Sequence, residues 1–108
     1  MLPPKWLYFL LLLVGFELIA DILAKQFAVS GKYVFAALSI GGFIAANTAW
    51  LISLRTGAEL SRGAILFSVL SAIGAVLIGL FLYHEKVSPY QVIGLALGIA
   101  AIAFLSAE

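Results

Sequence analysis

Four long apolar runs separated by short polar segments dominate the chain, over residues 4–24, 33–54, 63–83 and 89–106. About 20 apolar residues rising 1.5 Å each cross the roughly 30 Å of bilayer hydrocarbon, so each run predicts a transmembrane helix. The intervening segments carry the residues that punctuate helices. Ser30 and Gly31 lie in the first (25–32), Gly57 and Ser61 in the second (55–62), and the third (84–88) leads into Pro89. Links this short make consecutive helices antiparallel. Trp6, Tyr8, Tyr33, Tyr83 and Tyr90 fall near predicted ends, where amphipathic rings favour the headgroup region. The pattern predicts an all-α membrane protein, with residues 1–108 forming a single four-helix transmembrane domain.

Composition strengthens that reading and removes other classes. The 108 residues are 65% hydrophobic and 10% charged, with a mean hydropathy of +1.21, far from an ordinary soluble domain. A net charge of +1, with Lys and Arg scattered singly, offers no basic face for a nucleic acid. With no cysteine and only His84, neither a disulfide framework, a thiolate nucleophile nor a Cys/His metal cluster is expected, and no cofactor is implied. Lys5 before an apolar stretch has the look of a signal peptide. Glu17 interrupts that stretch, however, and no A-x-A cleavage site follows, so the segment is expected to be retained.

Orientation should follow the excess of basic residues on the cytoplasmic side, yet the sides tie. Lys5, Arg55 and Arg62 share one side with both termini, and Lys25, Lys32 and Lys86 share the other. Such balance is compatible with insertion in both directions, which would permit an antiparallel homodimer.

Polar positions inside the runs are few, and Glu17 and Asp21 are the most informative. An acid near the bilayer centre costs a few kcal/mol, so it is read as a functional site by default. Glu17 lies roughly 17 Å along the first helix from Trp6, near the midplane, and Asp21 about 6 Å further on the same face. Two carboxylates so close in a low-dielectric site do not both ionise easily, so at least one is expected to hold a proton near neutral pH when no cation is bound. A site that accepts either protons or a cation couples the two. Structural roles compete with this one: Asp21 could pair with Lys25, four residues on, and Glu17 could bond Asn47 or a serine. An enzymatic carboxylate pair is disfavoured, because nothing supplies a nucleophile, a metal or an aqueous cleft.

Asn47 is expected to seek a partner, which an acid on a neighbouring helix could provide. Ser39 and Ser53 can instead bond their own helix backbone. Small residues mark where helices could approach: Ser68, Ser71, Ala72, Ala75 and Gly79 form one stripe. Gly94 and Gly98 form a G-x-x-x-G continued by Ala101, which suggests either self-association or packing within the chain.

The run Glu17-Leu-Ile-Ala-Asp-Ile-Leu-Ala-Lys25 resembles the first helix of the small multidrug resistance transporters, whose essential glutamate is followed eight residues later by lysine. Ala46-Asn-Thr-Ala-Trp-Leu-Ile52 is similar to part of their second helix, and Gly74-Ala-Val-Leu-Ile78 to part of their third. The stretch from Leu82 to Gly98 looks like the loop and last helix of the wider drug/metabolite transporter superfamily. The resemblance covers nearly the whole chain. It implies an antiparallel homodimer in a prokaryotic plasma (inner) membrane, exchanging protons for small organic cations at a central site with one glutamate from each copy.

By position in that family, Glu17 takes the glutamate role, Thr48 that of a nearby hydroxyl, Asp21 that of a small polar lining residue and Phe67 that of a third-helix tyrosine. Trp50, Asn47, Ser68 and Ser71 complete the expected substrate- and proton-binding set, with Gly94, Gly98 and Ala101 as the expected dimer interface. Two departures bear on substrate. Leu70-Ser71-Ala72 stands where relatives carry a W-S/T-G motif, which weakens the case for flat polyaromatic drugs held by stacking and cation–π contact. Asp21 adds a carboxylate, which favours compact or multiply charged cations such as guanidinium compounds, polyamines or small quaternary ammoniums. The alternatives are a lipid or metabolite carrier subunit of the same superfamily, and a non-transporting membrane scaffold.

Overall fold

A computed structural model gives the fold, with residues 3–106 described. Four helices follow one another: α1 (Lys5–Ser30), α2 (Tyr33–Arg55), α3 (Leu60–Leu82) and α4 (Pro89–Ser106). The first three are long and apolar enough to cross a membrane, whereas the apolar stretch of α4, Pro89–Phe104, is shorter. The 18 residues of α4 reach about 27 Å. The chain forms two compact units, one ending at Leu60 and the other beginning at Ser61.

The first unit is a tight antiparallel hairpin of α1 and α2. Gly31 ends α1 in the left-handed conformation, at φ 73°, and its N–H donates to the Phe27 carbonyl at 2.8 Å. That conformation costs glycine little and other residues more, which is why the helix stops here. Ser30 Oγ donates to the Gln26 carbonyl and accepts from the Lys32 N–H, so Gly31 and Lys32 alone join the helices. Across the turn the rings of Phe27 and Tyr33 lie 5.7 Å apart.

α1 therefore runs six residues beyond its expected end at Ala24. Hydropathy falls at Lys25 and Gln26, but both are good helix formers, and the backbone ladder continues until a glycine breaks it. At the far end of the hairpin, the Cβ position of Gly57 lies 3.5 Å from Trp6 Cδ1, so the close of α2 meets the start of α1.

The middle of the hairpin is held by small residues. Ala20 is fully buried, and a Cβ on Gly42 would stand 3.0 Å from the Ala20 Cβ. Ser39, also buried, donates its hydroxyl to the Ala20 carbonyl at 2.8 Å. Ser39, which could have bonded its own helix, instead reaches across to α1, because glycine and alanine let the backbones come this close. Ser53 does bond its own helix, through the Trp50 carbonyl at 2.9 Å.

The second unit contains α3 from Ser61 on, α4 and the link between them. α3 begins at Leu60 rather than Gly63, since Ser61 and Arg62 form part of its first turn. Ser88 and Gln91 cap α4 reciprocally: the Ser88 N–H donates to Gln91 Oε1 at 2.8 Å, and the Gln91 N–H to Ser88 Oγ at 3.2 Å. This capping box satisfies two N–H groups at the helix start, and Pro89 just inside it already has a helical φ. In the link, His84 takes a positive φ of 54°, and the Glu85 N–H returns to the Gly79 carbonyl at 2.9 Å.

Candidate functional site

Glu17 stands at the midpoint of α1, with Lys5 about 18 Å away on one side and Ser30 about 20 Å away on the other. At 100° per residue, Leu10, Leu13, Glu17 and Ala20 fall within one arc of about 80°, and Asp21 lies about 20° beyond it. Leu10, Leu13 and Ala20 are buried, while both carboxylates are half-buried. Tyr8, Leu11, Leu12, Phe16 and Ile19 occupy the opposite, exposed half of the helix. The two acids thus belong to the covered side of α1. Glu17 is one turn before Ala20, the residue that α2 touches through Ser39 and Gly42.

On α2 the expected site residues divide. Trp50 is half-buried, near the arc formed by Ser39, Ala46, Ala49 and Ser53. Asn47 and Thr48 are exposed, Thr48 nearly opposite that arc and Asn47 on its flank. Each bonds its own helix: Asn47 Nδ2 donates to the Phe43 carbonyl at 2.9 Å, and Thr48 Oγ1 to the Ile44 carbonyl at 2.8 Å. Asn47 therefore has a partner four residues back, where a side chain from a neighbouring helix had been expected.

In the second unit, Ser68 is exposed and lines an apolar groove between α3 and α4 together with Val69, Ala72, Gly94, Leu95 and Gly98. Ser71 and Phe67 are half-buried beside that face. The Cβ position of Gly98 lies 3.3 Å from a Val69 methyl, so this glycine allows α4 to approach α3 within the chain. Gly94 has nothing within 4 Å of its Cβ position, and Ala101 is half-buried.

Chemically, the acidic face of α1 can hold protons or a cation. No group of three or more His, Asp or Glu side chains able to hold a metal ion occurs among the described residues. Sequence reasoning missed the hydroxyl of Ser39 as a bridge to α1, for which the one signal was Gly42 a turn later. It also missed a recess at the start of α4, where Glu85, Lys86 and Gln91 come together. The Ser88-Pro-Tyr-Gln91 capping pattern could have located that recess. No family model, curated protein or solved structure matches the chain.

Proposed function

We propose that the chain is a proton-coupled antiporter that exports small organic cations from a prokaryotic cell across its inner membrane. It works as an antiparallel homodimer of the small multidrug resistance type, with all four helices spanning the bilayer. The observation that carries this reading is the half-buried carboxylate of Glu17, midway along an apolar helix and on its covered side, with Asp21 one turn further. A structural bond could be made by an amide at lower cost, so retaining an acid at this depth favours a group that changes charge. Glu17 takes up a proton when the cation leaves and releases it when the next cation binds. Alternating access then follows from rocking of helices around a fixed midplane site.

The test is substrate-driven proton release from detergent-solubilised protein, paired with uptake into vesicles. In the wild type, cation binding should release protons, and apparent affinity should fall as pH falls because protons compete for the same carboxylate. Glu17→Gln should abolish both the release and the pH dependence of binding, and should stop gradient-driven uptake. Coupled transport retained in Glu17→Gln would sink the assignment.

A further inference from the structure

The groove between α3 and α4 continues into the recess at the start of α4, because Val76 and Gln91 line both. The two parts differ in chemistry. The recess, of about 210 Å³, is bordered by Glu85, Lys86 and Gln91 over Gly79. The groove, of about 310 Å³, is bordered mainly by Val, Leu, Ala and Gly, with Ser68 and Gln91 as its polar lining residues. One end thus presents a carboxylate beside an ammonium in the link between helices, and the other an apolar channel along the helices.

Three details sharpen the kind of molecule that fits. A Cβ at Gly79 would stand 2.5 Å from a Glu85 carboxylate oxygen, so glycine there is what lets Glu85 fold over the recess. Gln91 spends its oxygen on the Ser88 N–H, which turns the amide so that Nε2 remains to donate. The floor of the groove at Gly94 is open, while Val69 closes it at Gly98. From these we propose that the site holds one zwitterionic phospholipid. Its phosphate lies at Lys86 and Gln91, its ammonium at Glu85, and an acyl chain along Gly94.

The charges of the recess complement a headgroup that carries both signs. An acyl chain matches the apolar lining of the groove, and the headgroup joined to it reaches the recess that shares Val76 and Gln91 with that groove. An apolar helix from a second copy would also leave the charged recess unmatched. The site is built wholly from residues of the second unit and does not depend on the transport reading.

Native mass spectrometry of the full chain, released from detergent after equilibration with defined lipids, tests the site. The wild type should retain one phosphatidylethanolamine per chain in preference to phosphatidylglycerol. Gly94→Leu, which fills the floor, and Lys86→Gln should each lower the retained fraction at least fivefold. Glycerophosphoethanolamine, which has the headgroup without acyl chains, should not displace the lipid. Thermal melting checks that Gly94→Leu folds, and if it does not, Gly94→Ala combined with Lys86→Gln carries the comparison. Equal retention of phosphatidylglycerol, unchanged retention in the variants, displacement by the chain-free headgroup, or a lipid-free pair of chains would each overturn the assignment.

Discussion

Ala20 lies between the two acids in sequence and beneath α2 in space. Two contacts meet there, of different strength. The Ser39 hydroxyl donates to the Ala20 carbonyl, but that oxygen lies in a continuous helix and has a second lone pair for its own ladder. Ser39→Ala should therefore cost only about 0.6 kcal/mol, the average for polar contacts between membrane helices. Gly42 has no comparable slack, because a Cβ already comes within 3.0 Å of the Ala20 Cβ and a branched side chain must push the helices apart. Gly42→Val should cost about 1–3 kcal/mol. Unfolding of the two variants in mixed micelles checks the order, and an equal loss would mean that the helices separate without resistance. The sequence pointed to Glu17 and Asp21 through their rarity in an apolar run. It could not point to Ser39, because a serine in a membrane helix has its own backbone within reach and only the approach of α1 decides between the two.

Among the helix ends, the start of α4, marked by backbone chemistry, was legible, and the end of α1, judged by hydropathy, was displaced. α4 starts at Pro89 as expected, since proline and the Ser88–Gln91 pair define its first turn. α1 overran its expected end because Lys25 and Gln26 lower hydropathy without weakening the helix, and only Gly31 stops it. A cap that sets an end should also hold it closed. Ser88→Ala removes the acceptor for the Gln91 N–H and should destabilise the first turn by about 1 kcal/mol. Hydrogen exchange at the Gln91 amide should accelerate about fivefold, with amides in the middle of α4 unchanged. Uniform acceleration along the helix would show that the cap supports all of α4.

Taken as a whole, the molecule has few charges in its spans, so the number of carboxylates at the site governs which cations it can take. In the proposed dimer, two copies contribute Glu17 and Asp21 each. The second acid of each copy adds more attraction for a dication than for a monocation, because Coulomb energy scales with the product of charges. Asp21→Asn should weaken binding of a diamine more than that of a monovalent quaternary ammonium, measured on the same preparation. Equal losses would remove Asp21 from substrate selection and leave it a local role on α1.

The two-residue link at Gly31 and Lys32 also bears on how the protein is made. When α1 and α2 enter the bilayer as a pair, the polar matter carried across at their junction is little more than one turn of backbone and the charges of Lys25 and Lys32. The backbone groups of that turn are already bonded among themselves through Phe27, Gln26 and Ser30. Both helices can then be threaded and closed against each other at Ala20 and Gly42 as one hairpin.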